Sequence, residues 1–228
     1  MSVLLEAKNI SKKFYHPTQI EILKNIHLRI EGGDSVAIIG RSGEGKSTLL
    51  QIFGCLEEAC KGDLWIDQQL ITSKNRAKIL NQKLGFVFQS FHLLEDYTVL
   101  ENILMPARIA RQSAGLNSPM TKRAWQLLAQ VGLTTRAHFQ VRLLSGGEKQ
   151  RVAIARAMCN DPAIIMADEP SGNLDRQTGQ LVHQLLLDFA RQTEKALLIV
   201  THDQELAAAC SRCYELRDGQ LHAYAQGN

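Results

Sequence analysis

The chain has 228 residues, of which 45% are hydrophobic and 21% charged, so it belongs neither to the disordered nor to the collagen-like or coiled-coil classes. Its 26 Lys and Arg against 23 Asp and Glu leave a net charge of +3, too weak and too dispersed to predict a nucleic-acid surface. The length suits one large domain or two small ones.

The first residues and the cysteines indicate a reducing compartment. Charges appear in the N-terminal segment before any apolar stretch of signal-peptide length, and the five cysteines are an odd number. Cys210 and Cys213 have metal-like spacing but no second matching pair, so we interpret them as buried, reduced thiols. The strongest apolar runs, 163–167 and 196–200, are far shorter than the ~20 residues that span a bilayer. We expect a cytosolic chain that contacts a membrane only through a partner.

Short β-branched runs alternate with helical patterns, which is typical of an α/β protein with a parallel sheet. Four runs are predicted as buried strands: Ser35–Ile39, Leu84–Phe88, Ile164–Asp168 and Leu197–Thr201. Four others have a more mixed pattern, which predicts an antiparallel flank: Leu4–Ile10, His27–Ile30, Asp63–Asp67 and Arg212–Leu216. Helical periodicity dominates from about Val99 to Asn160, which predicts a helical subdomain inserted into the core.

A glycine-rich loop follows the first buried strand and leads directly into a helix. Its residues fit the phosphate-loop pattern: Gly40, Arg41, Ser42, Gly43, Glu44, Gly45, Lys46 and Ser47. The glycines let backbone N–H groups point at phosphate oxygens, Lys46 adds a positive charge, and Ser47 offers a hydroxyl to Mg²⁺. Glu44 is discordant, because a carboxylate in a phosphate nest is repelled unless it faces away.

A second glycine pair opens the helix that runs to about Asn160. Ser145 is a suitable N-cap and Glu148 completes a capping box, so a merely well-capped helix explains part of the pattern. Two adjacent glycines, Gly146 and Gly147, are not needed for a cap, whereas close approach of backbone N–H groups to an anion does need them. Only one loop of the chain carries the phosphate-loop lysine, so a second copy of the chain could complete this site.

Three other buried strands end in polar residues. The strand Ile164–Asp168 ends in Asp168 and is followed by Glu169. Asp168 is placed to hold Mg²⁺, and Glu169 is placed to orient or deprotonate an attacking water. His202 and Gln89 follow the other two at the same expected sheet edge, where ligands bind in open α/β sheets. An acidic turn and a structural histidine are the competing interpretations.

The ordered motifs together resemble the ATP-binding subunit of an ABC transporter over nearly the whole chain. The resemblance implies a P-loop NTPase with a RecA-like core, an N-terminal antiparallel β subdomain and an inserted helical subdomain. It implies one domain over residues 3–228, with the core at about 3–89 and 161–228 and the helical part at about 90–160. It further implies a head-to-tail dimer that holds two ATP molecules between the phosphate loop of one copy and Ser145, Gly146 and Gly147 of the other.

The resemblance also implies roles for single residues. Lys46, Ser47 and Thr48 would bind phosphate and Mg²⁺, Asp168 would support the metal, Glu169 would be the catalytic base, and His202 the switch histidine. Gln89 would contact the metal or the water and link the site to a transmembrane partner. Tyr15 matches the residue that stacks on adenine, although a surface tyrosine explains it nearly as well, and Asp175 would lie at the dimer interface.

Within the family, residues 88–103 and 167–175 resemble the branch of lipoprotein-releasing, tripartite-efflux and cell-division ATPases, and His92, Leu93 and Leu94 favour the first. We therefore expect a peripheral ATPase on the cytoplasmic face of the inner membrane that powers permease subunits. Departures from the family pattern are Glu44, Glu95 and Lys149. A small-molecule kinase and a regulatory module that signals ATP occupancy are the alternatives from other function classes.

Overall fold

The computed structural model describes residues 2–15, 19–193 and 195–224, which form two sheets and seven α-helices within those ranges. The strands are β1 (Val3–Phe14), β2 (Ile20–Glu31), β3 (Ser35–Ile39), β4 (Lys61–Ile66), β5 (Gln69–Leu70), β6 (Leu84–Phe88), β7 (Ile164–Asp168), β8 (Ala196–Val200), β9 (Arg212–Arg217) and β10 (Gln220–Ala223). The helices are α1 (Lys46–Phe53), α2 (Arg76–Lys83), α3 (Val99–Ile109), α4 (Pro119–Gln130), α5 (Gly146–Ala157), α6 (Arg176–Thr193) and α7 (Gln204–Ala208).

The larger sheet has the strand order β10-β9-β3-β8-β7-β6, and its strands are parallel except for β10. Both of its faces are buried. Successive side chains of a strand point to opposite sides, so the strands contribute to two hydrophobic clusters. Val36 and Ile38 pack in a cluster with β1, β2 and α1, whereas Ala37 packs in a second cluster with the helices of the segment 99–160 and with α6. Continuous apolar strands are therefore required here, as the sequence predicted.

The smaller sheet is antiparallel, with the order β2-β1-β4-β5. It contains three of the four runs that were predicted to form an antiparallel flank. The fourth run, Arg212–Leu216, was placed wrongly, because it lies in β9 of the larger sheet, where it is antiparallel to β10 but parallel to β3. The mixed pattern of β9 reflects partial exposure of several of its side chains, since β9 lies only one strand from the sheet edge.

The segment 99–160 is described in full and contains α3, α4, α5 and two short 3₁₀ turns, with no strand. Helix starts follow from local capping. Thr98 and Ser145 each form a capping box with a glutamate three residues on, and Ser118 caps α4 ahead of Pro119. In the described parts of the chain, no helix is long and apolar enough to cross a membrane.

Candidate nucleotide site

The loops that follow four adjacent parallel strands meet at one edge of the larger sheet. The residues after β3, β6, β7 and β8 border a single cleft of about 470 Å³. Its walls are formed by Ile22, Gly40, Ser42, Gly43, Gly45, Lys46, Ser47, Thr48, Gln89, Glu169 and His202. The structure thus brings together most of the phosphate loop and three of the polar residues that were predicted to end the strands.

The phosphate loop turns sharply into α1 at Gly45. This residue has φ +96°, and a Cβ added to it would lie only 2.2 Å from Ile22 Cγ2, so both conformation and space require glycine. Helix α1 begins at Lys46, and its first N–H groups therefore face the cleft with the positive end of the helix dipole. Ile22 was not predicted as a site residue, since an apolar residue on an antiparallel strand carries no distinguishing signal.

Lys46 and Glu44 both bond to their own loop. The Lys46 ammonium donates to the carbonyl oxygens of Gly40 at 2.8 Å and of Arg41 at 2.9 Å. The Glu44 carboxylate accepts the backbone N–H of Arg41 at 2.8 Å, and Glu44 does not line the cleft. The carboxylate therefore braces the loop from outside the space where phosphate would bind.

Ser47 lines the cleft and brings a second oxygen donor with it, because it is bonded to Asp168, which does not itself line the cleft. The Ser47 hydroxyl donates to Asp168 Oδ1 at 3.2 Å. Burial raises the pKa of Asp168. The bond from Ser47 opposes this rise, and the neighbouring charge of Glu169 adds to it. A hydroxyl and a carboxylate are hard oxygen donors, so this pair fits Mg²⁺, which would also relieve the unfavourable burial of the carboxylate.

The Glu169 side chain contacts the residues that follow β8. Its backbone has φ +45°, a left-handed conformation that is strained for a residue with a side chain. Its carboxylate lies 2.8 Å from His202 Nδ1 and accepts bonds of 3.3 Å from the Thr201 hydroxyl and the His202 N–H. The Glu169 side chain is 18% exposed and that of His202 is 74% exposed, so the imidazole is open to a ligand while the carboxylate is held.

Gln89 and Tyr15 are placed differently from each other. Gln89 borders the cleft, where its side-chain amide donates to Asn173 Oδ1 at 3.3 Å and its backbone carbonyl accepts from Asn173 Nδ2 at 3.0 Å. Tyr15 is 61% exposed and does not line the cleft. Adenine stacking by Tyr15 and a metal contact of Gln89 therefore stay predictions.

Ser145 and its glycines border a different cleft, of about 310 Å³, which shares no residue with the first. Its lining includes Ser145, Gly146, Gly147, Glu148 and Asp175. The bond from the Ser145 backbone N–H lowers the pKa of Glu148, so the capping carboxylate stays ionised. A single chain thus carries two half-sites that do not meet.

The two glycines at the start of α5 have different reasons to be there. A Cβ on Gly147 would lie 2.3 Å from Thr178 Cγ2 on α6, so packing requires this glycine. A Cβ on Gly146 would meet Leu174 Cδ2 at 3.5 Å, which is ordinary contact. The argument from anion binding therefore applies to Gly146, while Gly147 is already explained by helix packing, which sequence alone could not reveal.

Gln150 is a further residue that the motifs did not single out. It is fully buried on α5, and its amide donates to the carbonyl oxygen of Pro170 at 2.6 Å, just beyond Glu169. The bond links the helix of the second half-site to the loop that carries the carboxylate of the first. Only its position on the buried face of α5 could have indicated such a role.

Comparison with known proteins agrees with this geometry. The model of the ABC transporter family matches residues 23–172. A dimeric bacterial ABC transporter cassette of known structure superposes with a TM-score of 0.86 at 38% identity, covering 96% of both chains. The same cassette in a post-hydrolysis state with ADP and phosphate gives a TM-score of 0.85 at 38% identity, again over 96% of both chains. The chain belongs to the ABC transporter family, and the predicted P-loop fold and ABC-type ATPase are confirmed.

The particular relatives are lipoprotein-releasing system ATP-binding proteins. That of Protochlamydia amoebophila is 62% identical over 221 residues, which is 97% of each chain. That of Porphyromonas gingivalis is 44% identical over 222 residues, covering 96% of this chain and 99% of the relative. The resemblance to the lipoprotein-releasing branch is thus confirmed, and the small-molecule kinase is not supported.

Proposed function

We propose that this chain is the ATPase subunit that powers the release of lipoproteins from the inner membrane for transport to the outer membrane. Identity of 62% over almost the whole length of a lipoprotein-releasing system ATP-binding protein is the observation that carries the proposal. Tripartite efflux and cell-division complexes are the alternatives, and they differ in the membrane partner rather than in the chemistry of the cleft.

ATP binds in the cleft of Lys46. The backbone N–H groups from Gly43 to Thr48 cradle the phosphates, and the Lys46 ammonium transfers its bonds from the loop carbonyls to phosphate oxygens. Ser47 and Asp168 hold Mg²⁺, with Gln89 at the edge of the same cleft. The ion neutralises phosphate charge when it is bound.

Glu169 acts as the catalytic base and His202 positions it. The carboxylate takes a proton from the attacking water, a role that requires it to be held in place and ionised. The bonds from Thr201 and His202 fix its direction, and the largely exposed imidazole of His202 is free to contact the γ-phosphate. The regulatory alternative, in which ATP occupancy alone signals, has no use for this arrangement.

A second copy of the chain completes the site. The cleft of Lys46 and the cleft of Ser145 lie apart in one chain, so a head-to-tail pair would place Ser145, Gly146, Gly147 and Glu148 of one copy over the ATP of the other. The dimeric form of a solved cassette at 38% identity supports this arrangement. Tyr15 would contact adenine in each site.

The permease contacts the face next to Gln89. An apolar groove of about 470 Å³ lies between α2, β6 and α3, with Leu80, Phe86, Met105 and Ile109 among its lining residues. Strand β6 leads directly from this groove to Gln89 in the nucleotide cleft. A helix of an integral membrane subunit seated here would sense the state of the cleft and hold the chain at the cytoplasmic face of the membrane.

The test is recovery of the partner from membranes. Tagged Glu169→Gln protein, incubated with ATP and detergent-solubilised membranes, should bring down integral membrane subunits together with acylated proteins, identified by mass spectrometry. Lys46→Ala in the same background is the control and should lose ATP-dependent recovery. Recovery of an efflux adaptor or of cell-wall enzymes would transfer the assignment to the sister complexes, and absence of any membrane partner would overturn the transport function.

A further inference from the structure

A buried histidine on α6 contacts the loop that follows Glu169. His183 is 8% exposed, and its Nε2 lies 2.7 Å from the hydroxyl oxygen of Ser171. Burial lowers the pKa of His183, although the negative charges of Asp203 and Glu205 act to raise it. The imidazole is therefore neutral at neutral pH. A neutral imidazole and a hydroxyl each offer a donor and an acceptor, so this bond can form in either tautomer.

Ser171 is the corner of two consecutive tight turns. The Gly172 N–H donates to the carbonyl oxygen of Glu169 at 3.0 Å, and the Leu174 N–H donates to that of Ser171 at 3.0 Å. Fixing Ser171 therefore fixes both turns. Helix α6 provides the socket, because Gly179, one turn before His183, leaves room for Ser171, whose Cβ would be 3.2 Å from a Cβ at that glycine.

The loop from Glu169 to Asp175, here called the 169–175 loop, joins the two half-sites. Its first residue carries the carboxylate of the Lys46 cleft, and its last two, Leu174 and Asp175, line the Ser145 cleft. Gln150 holds the loop at Pro170, and Gln89 bonds to Asn173. The contact with His183 lies between these two anchors, at the corner where the backbone direction changes.

We propose that His183 is a positioning residue for ATP hydrolysis, because its bond to Ser171 fixes the 169–175 loop and so sets Glu169 in one half-site relative to Asp175 in the other. This inference rests on the proposed function, since it assigns a residue to the same reaction. His183 does not line the Lys46 cleft, so it acts through the loop and not on the nucleotide.

A double-mutant cycle on ATP hydrolysis tests the bond. His183→Leu and Ser171→Ala should each lower kcat about tenfold with the KM for ATP nearly unchanged, because misplacement of a catalytic group costs rate rather than binding. The double variant should be no slower than either single variant, and His183→Gln, whose amide reaches a similar position, should recover much of the rate. Gln184→Leu, on the exposed side of the same helix, is the matched control and should keep the wild-type rate.

Hydrogen exchange supplies a readout that does not depend on turnover. The amides of Gly172 and Leu174 should exchange about tenfold faster in His183→Leu than in the wild type, while Gln184→Leu leaves them unchanged. Independent, multiplying losses of kcat, or unchanged exchange of these two amides, would overturn the role of His183. A wild-type chain without ATPase activity would overturn the proposed function instead, and the exchange result would still decide whether His183 holds the loop.

Discussion

The Ser47 hydroxyl donates a hydrogen bond of 3.2 Å to the Asp168 carboxylate, across 121 positions of sequence. The contact joins the first turn of α1 to the carboxyl end of β7, although three strands and most of the helices lie between them in the chain. Two oxygens of the kind that Mg²⁺ prefers are therefore adjacent in the folded chain.

Ser47→Ala should raise the Mg²⁺ concentration for half-maximal ATPase activity about tenfold, because it removes one of the two oxygens and leaves Asp168 without its bonding partner. A titration of activity with Mg²⁺ at saturating ATP measures the shift. Gln51→Ala, at an exposed position of the same helix and outside the cleft, should leave the titration unchanged. An unaltered Mg²⁺ requirement in Ser47→Ala would remove Ser47 from the metal site.

Glu169→Gln should lower kcat at least ~100-fold while the chain still binds ATP, since the amide keeps the shape of the side chain but cannot take a proton. Single-turnover hydrolysis and equilibrium binding of a fluorescent ATP analogue separate the two effects. Asp188→Asn, on the exposed side of α6, is the control and should retain activity. Turnover by Glu169→Gln near the wild-type rate would assign the base elsewhere.

The two glycines of α5 should respond in opposite ways to alanine. Gly147→Ala forces its Cβ against Thr178 Cγ2 and should cost about 1–3 kcal/mol of unfolding free energy, as overpacking does. Thr178→Ser removes that methyl group and should restore the stability of the double variant. Gly146→Ala has room and should melt no lower than the wild type, but lose about tenfold in ATPase activity through its position in the Ser145 cleft.

Thermal melting and ATPase assays on the wild type, Gly146→Ala, Gly147→Ala and the double variant Gly147→Ala/Thr178→Ser check both expectations. A Gly147→Ala chain as stable as the wild type would show that α5 and α6 separate readily. Full activity in Gly146→Ala would mean that its backbone does not approach phosphate.

The elements at the cleft were predictable because each has a local cause. Apolar runs such as Ile164–Asp168 are required in strands buried on both faces, and the glycines of the phosphate loop are fixed by their turn. The two features that the local sequence did not reveal depend on distant partners. Arg212–Leu216 joins the sheet through β3, and the packing of Gly147 depends on Thr178 in another helix, so neither could be read from neighbouring residues.

The thiols should differ sharply in reactivity. Burial raises the pKa of Cys55 to about 11, that of Cys159 to about 11 and that of Cys210 to about 12. Burial also raises the pKa of Cys213, whereas Cys60 is exposed. Iodoacetamide at pH 8 should therefore label one thiol rapidly in the native chain, since only the thiolate reacts. Mass spectrometry of Cys60→Ser should show loss of this fast label. Rapid labelling of a second thiol in that variant would show that a buried cysteine becomes exposed.

Asp161 should contribute stability that acid removes. Its carboxylate lies 2.8 Å from Lys195 Nζ and 2.8 Å from an Arg123 nitrogen, and the bond from Lys195 lowers its pKa below the usual 3.8. A group whose folded pKa is depressed stabilises above the unfolded value and loses that effect as pH falls through the folded value. Asp161→Asn should therefore melt below the wild type at pH 7, with the gap closing below about pH 4.

Melting curves of the wild type and Asp161→Asn from pH 7 to below about pH 4 test this expectation, with Asp218→Asn as an exposed control. A gap that stays constant in acid would mean that Asp161 acts through packing rather than charge.

The place of β3 in the larger sheet governs when this chain can fold. Strand β3 ends at Ile39, yet its two neighbours are β8 and β9, which begin at Ala196 and Arg212. During synthesis the strand that precedes the phosphate loop therefore stays unpaired until β8 and β9 have left the ribosome. Such distant pairings fold slowly and leave apolar edges open to wrong partners, so the smaller antiparallel sheet, made from neighbouring segments, is the part expected to form first.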